Sequence, residues 1–180
     1  AQHGPFLYLN GPDLGGMALR VETESDFLQE MIVYSQSNSL YMLEANIGFL
    51  GNMSYIDKIQ AFSSGDDSGK LTFSGWAGEG SLSSNYLAYK GNMDALTFGG
   101  AEGTVLAMNS LSASMTADSS WTDMMINPVY DSTSELVLGS LTASIPTLDD
   151  MNIAIENMVL KGTTATQSDE QLLNVGMAFT

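Results

Sequence analysis

The stretch that decides the fold lies at positions 40–50 and reads LYMLEANIGFL. Apolar side chains at every second position alternate there with polar or small ones, and the apolar set is Tyr41, Leu43, Ala45, Ile47 and Phe49. Successive side chains of a strand point to opposite faces, so a period of two is typical of a strand with one buried face. The stretch therefore predicts a half-buried β-strand.

The same period recurs along most of the chain. Further strands are predicted at 55–62, 70–76, 82–89, 95–98, 104–108, 122–126, 135–138, 141–145, 153–160 and 172–179. Turns rich in Gly, Ser, Asp or Asn are predicted between strands at 63–69, 90–92 and 99–103, the first of them as the turn of a hairpin, and residues 76–80 are predicted to form a turn or a bulge.

One segment favours helix as much as strand. Residues 25–34 combine an N-cap-like Ser25 with helical spacing of apolar side chains, and both structures stay open there. We expect residues 1–180 to form a single mainly β domain. Its predicted architecture is an antiparallel, elongated or curved sheet or sandwich built from repeated strands, with at most one or two short helices.

A faint internal repeat supports growth of the sheet by similar strands. The sequence SLSASM at 110–115 returns as SLTASI at 140–145, and 161–166 is a looser copy. A repeated strand unit would extend one sheet by stacking neighbours. Coincidence stays open, because Ser, Thr, Ala and Leu are abundant in this chain.

Composition excludes several classes of function. The 180 residues include 21 acidic and 5 basic ones, a net charge of −16, and no cysteine. This charge disfavours nucleic acid and anionic membrane surfaces as partners. The absence of cysteine excludes disulfides, thiolate zinc sites and a cysteine nucleophile. High acidity also suits salty surroundings without any functional role.

No apolar run is long enough to span a bilayer. The chain begins without an initiator Met and ends inside an alternating pattern, so we expect a fragment of a longer protein. An anchor elsewhere in the full-length protein stays open.

Catalytic residues are not predicted. His3 is the single histidine and lies near the start, which makes a Ser-His-Asp triad improbable. Paired carboxylates of a glycan hydrolase have candidates, but nearly all lie in turn-like segments: Asp66, Asp67, Glu79, Glu102, Asp118, Asp123, Asp149 and Asp150. The Gly-rich stretches lack the lysine and helix start of a phosphate-binding loop.

No cofactor or resident metal is predicted. The acidic loop 64–69 offers oxygen ligands for Ca²⁺ but lacks the spacing of an EF-hand loop. The twelve Met residues are spread over mostly apolar strand positions, unlike the clustered Met of copper-handling tracts. Flexible Met side chains suit an adaptable apolar groove. We expect such a groove to be lined by some of Met42, Met93, Met108, Met125, Met151 and Met158.

The opening His3-Gly4-Pro5-Phe6, then LTFSGWAG at 71–78 and repeated Leu-x-x-Leu-Ser/Thr units, resemble the YdgA-like family of bacterial envelope proteins of unknown function. The resemblance is diffuse over most of the chain. It implies a periplasmic location behind an N-terminal membrane anchor, and it transfers no catalytic residue.

The sequence therefore favours a non-enzymatic envelope protein, a binding or scaffold module whose partner is a lipid, another apolar ligand or a protein. Two alternatives remain: an acidic surface or adhesive module that uses Ca²⁺, and a glycan hydrolase with a carboxylate pair.

Overall fold

The computed structural model describes residues 2–3, 17–22, 40–66, 68–100, 103, 105–120, 123, 126, 130–146, 151–167 and 170–179. Within these residues twelve strands form one sheet, and every pairing is antiparallel, which confirms the predicted fold class. The strands are β1 (Gln2–His3), β2 (Met17–Glu22), β3 (Tyr41–Ile47), β4 (Met53–Ile59), β5 (Phe62–Asp66), β6 (Gly69–Phe73), β7 (Trp76–Leu82), β8 (Leu87–Gly100), β9 (Val105–Ala117), β10 (Ser132–Ile145), β11 (Met151–Gln167) and β12 (Glu170–Ala178).

The sheet is a meander. Its order is β1-β2-β3-β4-β7-β8-β9-β10-β11-β12, and the β5–β6 hairpin pairs with β8 through β6. The register that pairs β4 with β7 continues into the β5–β6 pairing. Strands β4 and β5 are therefore one arm of a long hairpin, and β6 and β7 are the other arm.

The hairpin turn predicted at 63–69 is confirmed at its tip, where Asp66 pairs with Gly69. Ser68 donates its hydroxyl at 2.6 Å and its backbone N–H at 2.9 Å to Oδ1 of Asp66. These two bonds stabilise the charged form and lower the pKa of the Asp66 carboxyl below its usual 3.8. Asp66 is therefore a turn-forming side chain, as short polar residues are in many turns.

A line of irregular residues crosses the sheet at right angles to the strands. Ser110 lies opposite Gly139, since the residues on either side of both are paired. The same registers place Asp94 and Asn157 on this line. Non-glycine residues rarely adopt positive φ, yet Ser110 has φ 56° and Asn157 has φ 50°. We call this line the crease; its members are Gln60, Gly75 (φ 98°), Asp94, Ser110, Gly139 and Asn157.

The hydrophobic alternation changes phase at the crease. Apolar positions on its two sides lie three residues apart, where regular strands would give two or four: Ile59 and Phe62, Phe73 and Trp76, Met93 and Leu96, Met108 and Leu111, Leu138 and Leu141, Ile155 and Met158. Irregular strand residues re-aim the side chains that follow them. The crease divides the sheet into a proximal half, which contains Met93, and a distal half, which contains Leu96.

The turn or bulge predicted at 76–80 and the turn predicted at 90–92 are wrong, because these residues lie within β7 and β8 and residues 76–82 pair one to one with β4. A Cβ at Gly78, Gly80 or Gly91 would collide with an aromatic side chain of the neighbouring strand. These glycines are therefore required for close packing on a strand, and they do not mark a turn.

The strand predicted at 122–126 is also wrong, because Asp123 and Ile126 have helical backbone. Ser120 Oγ accepts a hydrogen bond from the Asp123 backbone N–H at 3.0 Å and donates to Asp123 Oδ2 at 2.6 Å. A serine hydroxyl bonded to the backbone N–H three residues on is the Ser half of a capping box, so local capping chemistry starts a helical turn here.

The segment 25–34 lies outside the described residues. Among the residues that are described, no helix has the length and hydrophobicity needed to cross a membrane. The repeat copies 110–115 and 140–145 lie side by side in β9 and β10, which run in opposite directions.

The buried core lies in the proximal half. Leu82, Leu87 and Ala117 form its centre. Nearer the crease, Met93 is 5% exposed and Leu138 is 2% exposed. The remaining partly buried members that pack on the centre are Met53, Tyr55, Met115 and Tyr130.

Candidate ligand-binding site

The proximal half has one apolar and one polar face. Pairing across the sheet aligns one residue of each strand in a transverse row whose side chains share a face. The row nearest the crease is apolar throughout: Tyr41, Ile59, Trp76, Met93, Leu111, Leu138 and Met158. The opposite face is rich in Ser, Thr and charged residues, as a half-buried sheet requires.

Three ion pairs lie in a single transverse row of the polar face. They join Arg20 Nε to Glu44 Oε1 (3.4 Å), Lys90 Nζ to Glu79 Oε1 (2.7 Å) and Lys161 Nζ to Glu135 Oε2 (2.6 Å). The two partners of every pair lie directly opposite each other on neighbouring strands. The hydrogen bond and charge of Glu79 raise the pKa of Lys90 above 10.5. Cross-strand pairs favour one register. The exposed pairs of Lys90 and Lys161 each contribute only about 0–1 kcal/mol, whereas Glu44 is buried at 7% exposure.

The apolar face carries a cluster of aromatic side chains that lie over glycines. A Cβ at Gly80 would collide with the Tyr55 ring, and a Cβ at Gly91 with the Trp76 ring. Tyr55 also stacks on Tyr89, with ring centroids 6.1 Å apart and an interplanar angle of 12°. Because glycine leaves room on the strand surface, the rings pack flat against the sheet.

One carboxylate lies inside this cluster. The Trp76 Nε1–H donates to the Tyr89 hydroxyl oxygen at 2.8 Å, and the Tyr89 O–H donates to Asp57 Oδ2 at 3.3 Å. The other carboxylate oxygen, Oδ1, is buried and accepts no hydrogen bond within the described part of the chain. This network was not predicted, because its members lie far apart in the sequence.

Burial raises the pKa of Tyr89 above 10.0 and the Asp57 carboxylate raises it further, while the Trp76 hydrogen bond acts in the opposite direction. Burial and Asp57 likewise raise the pKa of Tyr55 and of Tyr41. A tyrosine whose pKa is raised on folding contributes stability below pH 10 that is lost as the pH rises through the folded value.

Replacing Tyr89 with phenylalanine is expected to lower the free energy of unfolding by about 1–3 kcal/mol, because it leaves the Trp76 N–H and the Asp57 carboxylate without their partner. Urea denaturation measures the loss. Tyr86→Phe is the matched control: Tyr86 is exposed, so we expect a change below about 0.5 kcal/mol. Equal losses for the two variants would contradict a structural role for the network.

The distal half also has an apolar face, and this one is open to solvent. Phe98, Leu106 and Ile153 lie in one row and are 39%, 36% and 43% exposed; Met151, next to this row, is 37% exposed. The row nearer the crease is half-buried and contains Leu96, Met108, Leu141 and Ile155. We call these residues together the distal apolar face. Apolar side chains that share a face and stay exposed on several neighbouring strands are typical of an interaction site.

The structure brings together four of the predicted groove methionines at apolar positions of the sheet. Met93 and Met158 lie in the proximal row beside the crease, and Met108 and Met151 belong to the distal apolar face. Met42 lies on the polar face, where Arg20 Nη2 contacts its sulfur at 3.2 Å. Met125 lies outside the described residues.

The acidic candidates do not converge. Glu79 is paired with Lys90, and Asp66 and Asp123 are engaged in local turns. Asp118 is exposed beside Asp131, whose carbonyl accepts its N–H at 2.9 Å. The remaining acids, Asp67, Glu102, Asp149 and Asp150, lie outside the described residues, as does the side chain of His3. Within the described part, no three His, Asp or Glu side chains are arranged to hold a metal ion.

The concavities of the described part include two shallow ones on the polar face. Their volumes are about 450 and 680 Å³, and both are lined by Ile56, Glu79, Lys90 and Ser114. The groove predicted from the methionines was apolar, so these concavities are a different surface.

The chain belongs to a family of bacterial proteins of unknown function, DUF945, which it matches over residues 1–180. No curated protein and no solved structure matches it. The family establishes a bacterial origin, and the more specific YdgA-like name remains a resemblance.

Proposed function

We propose that this protein is a non-enzymatic binding module of the bacterial cell envelope, and that its distal apolar face binds an apolar ligand. The observation that carries the proposal is the row of Phe98, Leu106 and Ile153, which stays more than a third exposed on strands whose other face is polar. Covering such side chains removes apolar surface from water, which is the main driving force for binding.

The charge distribution supports an uncharged ligand. The chain carries a net charge of −16, yet the distal apolar face contains no charged side chain. An ionic ligand would therefore find no partner on this face, whereas the methyl, methylene and aromatic groups present suit an acyl chain. The predicted periplasmic location rests on the resemblance carried by His3-Gly4-Pro5-Phe6.

Ligand binding is tested by organic extraction of the purified protein with mass spectrometry, and by titration with the fluorescent fatty acid cis-parinaric acid. We expect co-purified lipid and saturable uptake of the probe. Ile153→Thr, which replaces an apolar group with a hydroxyl, is expected to weaken binding about four-fold or more, since a buried methylene contributes about 0.8 kcal/mol.

Val21→Thr is the matched control. Val21 is 42% exposed, close to the 43% of Ile153, but it lies on β2, near the opposite end of the sheet. Probe affinity should therefore be unchanged. Equal weakening by both substitutions, or no lipid and no uptake by the unaltered protein, would refute the proposed function. Recovery of the protein with cytoplasmic markers after osmotic shock would refute the proposed periplasmic location.

A further inference from the structure

The two apolar rows beside the crease form a continuous stripe across the sheet. The proximal row contains Ile59, Trp76, Met93, Leu111, Leu138 and Met158. The distal row contains Phe62, Phe73, Leu96, Met108, Leu141 and Ile155. Each of the six successive strands or hairpin arms contributes one residue to each row. Apart from the buried Met93 and Leu138, these residues are neither fully buried nor freely exposed.

We infer that the crease is the floor of an apolar groove, with both rows turned to the same side, and that the groove holds an extended acyl chain of a lipid. The inference deepens the proposed function and rests on it, because it assigns the class of ligand and the path that the ligand follows. The phase change supports a common side. Regular alternation would put Met93 and Leu96 on opposite faces, and irregular residues between them re-aim the chain.

The length of the stripe fits this occupant. Six neighbouring strands enclose five spacings of about 4.8 Å, so the stripe is about 24 Å long. One acyl chain fills half of a hydrocarbon core about 30 Å thick, or about 15 Å. A whole acyl chain therefore fits along the crease in extended form. The flexible, half-buried Met108 and Met158 adapt to a chain of varying conformation.

Backbone chemistry favours an acyl chain over a peptide. Among the described residues, β5 and residues 151–158 of β11 are paired on one side only. The strands between them are paired with neighbours on both sides, so their backbone N–H and C=O groups are already used in the sheet. A peptide laid across them would bury its own polar groups without partners, at a cost of about 1–3 kcal/mol for each group. A hydrocarbon chain has no such groups. The stripe side chains are also uncharged, and among the crease residues only Asp94, which is exposed, carries a charge.

The path is tested with a long-chain fatty acid that carries a diazirine at its midpoint. The probe is bound to the 180-residue chain and irradiated, and the adducts are located by peptic digestion and mass spectrometry. We expect adducts on the half-buried residues that flank the crease: Leu96, Met108, Leu111, Leu141 and Met158.

The possible outcomes separate this inference from the proposed function. Adducts confined to Phe98 and Ile153 would overturn the path along the crease and leave binding at the distal apolar face standing, whereas adducts confined to β12 would overturn both. Displacement of the probe by a co-purified polypeptide would overturn the choice of an acyl chain. Absence of both uptake and adducts would refute the inference and the proposed function together.

A pair of neighbouring substitutions gives a second measurement. Leu141 lies in the distal row, while Thr142 is exposed on the other face of the same strand. Leu141→Asn is expected to weaken probe binding about ten-fold, since it places an amide against the acyl chain. Thr142→Asn should change it less than about two-fold. Equal effects would contradict the groove. If Leu141→Asn does not fold, the adduct map of the unaltered protein decides alone.

Discussion

Replacing Gly91 with alanine is expected to lower the free energy of unfolding by about 2–3 kcal/mol, although only one methyl group is added. A Cβ at this position would collide with the Trp76 ring. The indole cannot move away freely, because its Nε1–H is bonded to the Tyr89 hydroxyl at 2.8 Å. If the indole moves to make room for the added methyl group, it therefore loses either its packing against the strand or its hydrogen bond. Urea denaturation, with the slope m held constant between variants, measures the loss.

The same strand supplies the matched control. A Cβ at Gly99 would meet nothing within 4 Å, so Gly99→Ala should be neutral or stabilise by up to about 1 kcal/mol through the unfolded state. A second control removes the obstacle: in a Trp76→Ala background, Gly91→Ala should cost much less than it does alone. Equal costs in the two backgrounds would show that the Trp76 ring is not what makes glycine necessary at position 91.

The fold class was predictable because its signal is local. Strand β3 is predicted from alternation within a few residues, and the Asp66–Gly69 turn from side chains that bond to their own backbone. Neither depends on which strand lies alongside. The helical turn at Asp123 was also locally encoded, by the Ser120 capping box, and the apolar pattern of 122–126 hid it.

The glycines show where prediction from one segment fails. Gly65 and Gly75 have positive φ and interrupt regular backbone, as turn-type glycines do. Gly78, Gly80 and Gly91 lie inside strands, and the reason for each is an aromatic or acidic side chain of a neighbouring strand. The same residue type therefore has two physical roles, and only the pairing of strands separates them. In the sequence, only the spacing of two between Gly78 and Gly80 indicates that these glycines share one face of a strand.

The candidate site was predictable in part. Met93, Met108 and Met158 occupy apolar positions beside the crease, while the groove itself stays a prediction. For Met42 the alternation itself indicates the other face, since it places this residue with Glu44, opposite Tyr41 and Leu43. The crease was out of reach, because it is defined by the alignment of single residues from several strands.

Replacing Leu138 with alanine is expected to cost about 2–5 kcal/mol, the range seen when a large buried side chain is truncated and a cavity is left. Leu138 is 2% exposed, and it pairs with Leu111 on one side and Met158 on the other. These neighbours are held by their own strands, so the sheet cannot collapse around the missing methyl groups. Thermal unfolding should report a lower Tm by about 2–4 °C for each kcal/mol lost.

Leu173→Ala is the control that separates burial from residue type. Leu173 is 68% exposed on β12, the strand that ends the sheet among the described residues. Its truncation removes little buried surface, so the free energy of unfolding should change by less than about 0.5 kcal/mol. If the two substitutions lower the free energy of unfolding equally, the apolar side of the sheet would be equally buried at its centre and at β12. A much larger loss of free energy of unfolding for Leu138→Ala means that the proximal row beside the crease is tightly packed. A groove along the crease requires such packing on its proximal side.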